Sequence, residues 1–106
     1  MGGDKVLVLI TMQAQPGQEA RMVHEMKLTV AQVVAHEADC LSIRIHQDPD
    51  DASKLMLYEH WTSRAAYTGP HMQTPHIKSL LLRAPEFLAG PASITFWRLE
   101  AEVARP

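Results

Sequence analysis

The stretch KLMLYEHW, residues 54–61, predicts a β-strand with large side chains on both of its faces. Successive side chains of a strand point to opposite faces, so the eight residues separate into two sets. One face carries Leu55, Leu57, Glu59 and Trp61, and the other carries Met56, Tyr58 and His60. A strand that is apolar on both faces must be covered on both, and this requirement constrains the rest of the fold.

The residues before this strand predict its antiparallel partner. Leu41, Ile43 and Ile45 alternate with polar residues, which is typical of a half-buried strand. Residues 48–51, DPDD, have the composition of a tight turn. We therefore expect the two strands and this turn to form a β-hairpin.

The N-terminal third predicts one more strand and a long helix. Residues 6–10, VLVLI, form a continuous apolar run that is typical of a strand buried on both faces. After Pro16-Gly17, apolar residues recur with the spacing of an amphipathic helix. These residues are Met22, Val23, Met26, Val30, Val33 and Val34. The pattern fades near residues 36–39, where we expect the helix to end.

The C-terminal half predicts two helical segments and a last strand. Thr62 or Ser63 can cap a short helix that Gly69-Pro70 interrupts. Thr74-Pro75 is typical of the start of another helix. Residues 94–99 predict the final strand, because both of its faces carry apolar side chains. We expect the tail after it to be a strand end with a loose terminus.

The resulting order is β-α-β-β-α-β, which predicts an α+β fold of the ferredoxin-like, split β-α-β type with an antiparallel sheet. We expect residues 1–106 to form a single domain. Two helices cover only one face of a four-stranded sheet, although several strands are apolar on both faces. The same face of a second copy is the simplest cover for the other side, so a homodimer is predicted. The alternative is that loops and tail of the same chain cover this face.

Composition excludes several classes of function. The net charge of −2 provides no basic surface for a phosphate backbone, so no nucleic-acid partner is predicted. Cys40 is the only cysteine, which rules out an internal disulfide and favours a reducing, cytoplasmic location. The apolar run at residues 6–10 is too short for a signal peptide or a membrane span, so no membrane partner is predicted.

Two of the six histidines are the strongest candidates for chemistry. His71 and His76 lie beside Pro70 and Pro75, at a break and at a helix start, and such positions next to a sheet commonly line ligand clefts. A neutral imidazole can accept a proton from a phenol-like substrate. The five-residue spacing, with no acidic residue between the two histidines, does not fit a zinc site, so no metal is predicted.

The quoted strand adds three candidate residues for substrate binding: Tyr58, Glu59 and Trp61. Trp61 and Tyr58 offer flat surfaces for an aromatic ring, but alternation places them on opposite faces. Glu59 shares the apolar face of Trp61, where a carboxylate costs free energy unless it is paired or hydrogen-bonded. It is therefore either a structural anchor or an acid with a shifted pKa.

Four segments together resemble the antibiotic biosynthesis monooxygenase (ABM) family: Pro16-Gly17 after the first strand, HEADCL at residues 36–41, YEHW at residues 58–61 and HMQTPH at residues 71–76. The resemblance extends from about Lys5 to Leu99. It implies a ferredoxin-like protomer whose sheet pairs with that of a second copy in a dimeric α+β barrel. It also implies a ligand cleft between sheet and helices. Members include cofactor-independent monooxygenases of quinols and polyketide anthrones, as well as proteins that bind and degrade heme.

The chain departs from the family pattern in two places. His71 is ten positions after Trp61, one more than is usual in the family, and Gly69-Pro70 carries the extra residue. The chain also contains no asparagine, whereas heme-degrading members and some anthrone oxygenases of the family rely on an asparagine in the sheet.

The leading hypothesis is a cofactor-independent monooxygenase that uses O2 on a small phenolic, quinol or polyketide-like aromatic substrate. His76 is the first candidate for the catalytic base and His71 the second. Trp61 would pack against the substrate ring, Glu59 would bind substrate, and Tyr58 would donate a hydrogen bond if its face of the sheet is the helix side. The alternatives are a non-catalytic dimer that binds a small molecule, and a heme-binding or heme-degrading protein with His71 or His76 as axial ligand.

Overall fold

Four strands and three α-helices follow one another along residues 5–106, the part of the chain that the computed structural model describes. The elements in chain order are β1 (Val6–Gln13), α1 (Glu19–His36), β2 (Cys40–Gln47), β3 (Lys54–Trp61), α2 (Arg64–Thr68), α3 (Pro75–Arg83) and β4 (Ser93–Trp97). Short 3-10 turns at Pro70–Gln73 and Ala84–Glu86 flank α3.

The strands form one antiparallel sheet in the order β2-β3-β1-β4. Val8 at the centre of β1 pairs with Glu59 on one side and Phe96 on the other, so these three side chains lie in one row across the sheet. This order and the antiparallel pairing confirm the predicted ferredoxin-like α+β fold.

The helices cover the face of the sheet that carries Val8, Leu57 and Trp61. The buried positions of α1 follow the helical spacing i, i+4, i+7 and i+11: Met22, Met26, Thr29 and Val33. The largest fully buried side chains are Trp61, Phe87, Met22 and Val8. The core therefore lies between one sheet face and the helices, as the amphipathic pattern of α1 predicts.

The opposite sheet face carries Leu7, Leu9, Met56, Tyr58 and Trp97, and we call it the open face. The first four side chains are only partly buried, and Trp97 is 55% exposed. The tail after β4, residues 98–106, is exposed throughout and does not supply the missing cover.

Two local expectations were wrong. β4 ends at Trp97 rather than at residue 99, because its pairing with β1 runs only from Leu7 to Thr11. The residues after it form no strand. Leu41 is exposed rather than half-buried, because an irregularity between Cys40 and Ser42 leaves it outside the ladder with β3.

No helix within residues 5–106 combines the length and the apolar character needed to cross a lipid bilayer.

Candidate active site

A cavity of about 670 Å³ lies between the sheet and the helices. Its floor includes Ile10, Met12 and Leu57 from the helix-covered face of β1 and β3. One wall is a stripe of α1 and the other is a stripe of α3 that continues into the residue after it, and on both walls the lining positions follow the spacing i, i+3, i+4, i+7. These positions are Met26, Thr29, Val30 and Val33 in α1, and Ile77, Leu80 and Leu81 in α3 with Ala84 directly after it. The cavity is therefore largely apolar.

Glu59 is a buried carboxyl group at one end of this cavity. It is 4% exposed, and its Oε1 accepts a hydrogen bond of 2.9 Å from Nε1 of Trp61. The two residues are neighbours on one strand face, as alternation predicts. Burial raises the pKa of Glu59 to about 7, the charge of Glu37 adds to this effect, and the hydrogen bond from Trp61 opposes it. A carboxyl group with this pKa can donate or accept a proton near neutral pH.

His71 lies at the same end of the cavity and is 4% exposed. The chain leaves α2 at Gly69, whose N–H donates to the carbonyl of Ala65, and Pro70 then starts the 3-10 turn that carries His71 inward. A Cβ atom at position 69 would lie 3.0 Å from the Ala65 oxygen, so a residue other than glycine would be closely crowded in this turn. The turn at Gly69-Pro70 thus places His71 at the cavity.

Glu37, which appeared in the sequence only as part of the family segment at residues 36–41, holds the ring of His71. Nδ1 of His71 lies 2.8 Å and 3.1 Å from the two carboxyl oxygens of Glu37, just after α1. Because a carboxylate only accepts, the proton of the neutral ring is on Nδ1 and the lone pair is on Nε2. Within residues 5–106, Nε2 has no hydrogen-bond partner and is not fully enclosed. The arrangement therefore presents Nε2 as a proton acceptor at the cavity.

The protonation of His71 responds to three neighbouring effects. Burial lowers its pKa, the hydrogen bond and charge of Glu37 raise it, and the nearby His76 lowers it. The net direction is downward, which favours the neutral ring at neutral pH.

An aromatic cluster surrounds the polar end of the cavity. The ring of His71 stacks on Tyr67 at a centroid distance of 4.8 Å and meets Trp61 edge-on at 4.6 Å. Tyr67 also contacts Trp61 and Phe96. Tyr67 lines the cavity. Burial and the charge of Glu59 raise the pKa of its phenol. The phenol therefore stays protonated and can donate a hydrogen bond.

Polar side-chain contacts attach both ends of α3 to the C-terminal end and the middle of α1. At the N-terminal end, Nε2 of His76 lies 2.6 Å from Oε2 of Glu37. At the C-terminal end, Arg83 donates to Glu25, with its Nη2 2.9 Å from Oε1. The arrangement holds the α3 wall over the cavity.

The structure separates the five predicted site residues. Glu59 and His71 line the cavity. Trp61 is 1% exposed and lies behind them as the hydrogen-bond donor to Glu59, so it is not among the lining residues. His76 is not a lining residue either, because its ring is directed to Glu37.

Tyr58 lies on the open face, where its ring contacts His46 and His60. The role expected for Tyr58 required its face to be the helix side, and this condition is not met. Of the two candidate bases, His71 lines the cavity and His76 does not.

Two residues of the polar end were not singled out from the sequence. Glu37 is 34 residues from His71 and 39 from His76 along the chain, so no local spacing connects them. The sequence predicts Tyr67 only as an apolar residue of a short helix. Within the described chain, no group of three or more His, Cys, Asp or Glu side chains is arranged to hold a metal ion.

Solved structures share this fold over nearly the whole chain. PA3566 from Pseudomonas aeruginosa is similar with a TM-score of 0.84 and 25% identity, covering 95% of this chain and 99% of that one. Rv0793 from Mycobacterium tuberculosis has a TM-score of 0.81 and 21% identity, covering 95% of this chain and all of that one.

Sequence comparison gives a curated relative and a family. The uncharacterized protein sll1783 of Synechocystis sp. is 24% identical over 96 residues, which cover 91% of this chain. The match spans 64% of the length of that relative. The family model for antibiotic biosynthesis monooxygenases matches residues 5–81, most of the chain. The resemblance read from the four sequence segments is thus confirmed, and the chain belongs to the antibiotic biosynthesis monooxygenase family.

Proposed function

We propose that the protein is a cofactor-independent monooxygenase that binds a phenolic or quinol ring at the polar end of the cavity and oxidises it with O2. The observation that carries the proposal is the placement of His71. Its Nδ1 is fixed by Glu37, and its Nε2 is left as a proton acceptor at an apolar cavity. A paired carboxylate that orients and supports an imidazole base is a recurrent catalytic arrangement.

Deprotonation is the step that these residues can promote. Nε2 of His71 accepts the hydroxyl proton of the substrate, and the charge of Glu37 stabilises the resulting imidazolium. The apolar walls remove water from the phenolate, and the phenol of Tyr67 can donate a hydrogen bond to a substrate oxygen. The electron-rich anion then transfers electrons to O2.

The electron balance requires no external reductant. When a quinol becomes a hydroxyquinone, one oxygen atom enters the ring and the other leaves as water, and the substrate supplies all four electrons. Glu59, with a pKa of about 7, can donate a proton to the oxygen that leaves as water. His71 and Glu59 return to their starting protonation through exchange with solvent.

Oxygen uptake with a panel of reduced quinols and anthrones tests this proposal. The wild-type protein should consume O2 above the rate of autoxidation, and His71→Ala should lose at least 100-fold in kcat, the order expected for a general base. His24→Ala removes an exposed histidine of α1 and should retain full activity. The absence of uptake above autoxidation across the panel would contradict the proposal and leave a small-molecule binder.

The pH dependence of the same reaction tests whether His71 is the base. Glu37→Gln removes the charge that raises the pKa of His71, so the acidic limb of the kcat/KM profile should move to lower pH, with kcat reduced about 10- to 100-fold. His76→Ala removes a neighbour that lowers this pKa, so the limb should move to higher pH. Shifts in the same direction for both variants would assign the limb to another group.

The proposal includes a homodimer in the cytoplasm, formed through the open face. Proteins of this family are generally dimeric small-molecule binders. The partly exposed apolar side chains of the open face support the same assembly here.

A further inference from the structure

Three of the polar side chains that line the cavity lie together at one end, and Thr29 and Gln15 are the polar lining residues outside this group. Glu59, Tyr67 and His71 surround Trp61, as its hydrogen bond and ring contacts show. Within the described chain, the phenol of Tyr67 and the second carboxyl oxygen of Glu59 have no hydrogen-bond partner, and neither is fully enclosed. Together with Nε2 of His71, they can bind hydroxyl groups of a ligand only at this end.

The other end of the cavity is largely apolar. Met12 lies four residues along β1 from Val8, the residue that pairs with Glu59, so the cavity floor extends roughly 13 Å from the polar row. Leu88 and Ala89 line this end. The amide of Gln15 is also here; its Nε2 donates to the carbonyls of Pro85 and Leu88, which leaves its Oε1 as a single polar acceptor at this end.

The volume exceeds what a single ring fills. A cavity of roughly 150 Å³ is sufficient for benzene, whereas this one measures about 670 Å³. A small phenol at the polar end would therefore leave most of the apolar space empty, and the lining atoms would lose their packing contacts.

The apolar surface continues out of the cavity at its mouth. Leu81 lines the cavity and is 53% exposed, and Ile94 lines it and is 42% exposed. Three methionines, Met12, Met26 and Met72, also line the cavity, and their flexible side chains can adapt to ligands of different length.

We propose that the ligand of this cavity is a phenol or quinol with one long alkyl or isoprenoid chain. The ring hydroxyls bind Glu59, Tyr67 and His71, and the chain runs along Met12 and Leu80 toward the mouth at Leu81. The identity of the ring rests on the proposed function. The chain follows independently from the apolar length of the cavity.

A fused polycyclic ligand fits these observations less well. Oxygenated polycyclic rings carry hydroxyl or carbonyl groups along their whole length, and those at the far end would be desolvated among Met12, Leu80 and Leu88. A buried polar group without a hydrogen-bond partner costs free energy. A hydrocarbon chain incurs no such cost there.

A homologous series of 4-n-alkylresorcinols, from ethyl to dodecyl, tests the proposal by anaerobic calorimetric titration below micelle-forming concentrations. Without O2 these compounds are not oxidised, so binding is measured without turnover. Each added methylene group should increase affinity up to about fourfold until the chain reaches the mouth, because this factor corresponds to the free energy of burying one methylene group. Equal affinity across the series, or tighter binding of dihydroxyanthrone than of octylresorcinol, would overturn the proposal.

Two neighbouring leucines provide a matched pair of variants. Leu81→Gln should weaken binding of the decyl compound about tenfold and leave the ethyl compound unchanged. Leu82, next in the chain, is 82% exposed and not a lining residue, so Leu82→Gln should change neither affinity. Equal effects of the two substitutions would place the chain elsewhere and overturn the proposal.

A third comparison isolates the ring. n-Decanol should bind at least tenfold more weakly than decylresorcinol, because it cannot use the three polar groups, and equal affinity would refute ring recognition. A failure of the proposed function alone would give a different result. Alkylcatechols would then cause no oxygen uptake, while the affinity of the resorcinols would still increase with chain length.

Discussion

Glu59 is the residue whose ionisation should most clearly affect stability. Its pKa is about 7 in the folded protein, against about 4.5 for an exposed glutamate, because burial disfavours the charge. Between these pH values the folded protein retains a proton that the unfolded chain has released. The free energy of unfolding therefore falls as pH rises from about 4.5 to 7.

Glu59→Gln should remove this loss, because the neutral amide can still accept the hydrogen bond from Trp61. Relative to the wild type, the variant should gain stability with rising pH, to about 3 kcal/mol above pH 7. Urea unfolding from pH 5 to 8 measures the difference in the free energy of unfolding between the variant and the wild type. His71 makes stability rise with pH in both proteins, so its contribution cancels in this difference.

Glu100→Gln serves as the control for this comparison, since Glu100 is an exposed glutamate of the tail. Its dependence of stability on pH should parallel that of the wild type. Parallel curves for Glu59→Gln and wild type would contradict the raised pKa of Glu59.

At the scale of elements, the connection between α2 and α3 decides where His71 points. The N–H of Gly69 bonds to the carbonyl of Ala65, so the backbone turns closely against the end of α2. Gly69→Ala would place a Cβ atom 3.0 Å from that oxygen, and the backbone has to shift to relieve the contact. We expect a loss of about 1–2 kcal/mol in stability and reduced oxygen uptake, because His71 follows two residues later.

Gly90→Ala is the stability control for this prediction. Gly90 also lies in a loop, but a Cβ atom there meets nothing within 4 Å. Thermal unfolding should show no loss for Gly90→Ala, and an equal loss for both variants would mean that the contact with Ala65 is unimportant.

Regular elements could be predicted from the sequence because their signals are local and periodic. Alternation predicted β3 at residues 54–61, where the structure has it, and helical spacing predicted α1 with its end near His36. Alternation also separated Tyr58 from Trp61, although it could not indicate which face the helices would cover. That choice depends on the packing of the whole chain.

The candidate site was predictable only in part, for the same reason. His71 was identified by its position beside a proline at a chain break. Its partner Glu37 is brought to it by the crossing of α1 and α3 over the sheet, and nothing in the residues around position 37 encodes that contact. Which of the two histidines lines the cavity likewise depends on how each ring contacts Glu37, and this contact forms only in the folded chain.

At the scale of the whole molecule, the open face is a side of the sheet that residues 5–106 leave partly exposed. Leu7, Leu9, Met56 and Tyr58 are partly buried there, and Trp97 is 55% exposed. Residues 98–106 are exposed and leave this face uncovered. Association with the same face of a second copy would bury these side chains, and the hydrophobic effect would favour it.

Sedimentation at micromolar concentration should therefore show a species of about twice 11.9 kDa. Trp97→Arg places a charge among the apolar side chains of the open face and should shift the protein to the monomer, because a buried unpaired charge is costly. Leu82→Arg introduces the same charge at an exposed leucine of α3, on the other side of the sheet, and should remain dimeric. A wild-type monomer at 11.9 kDa would refute the dimer, and dissociation by Leu82→Arg alone would move the interface from the open face to the helices.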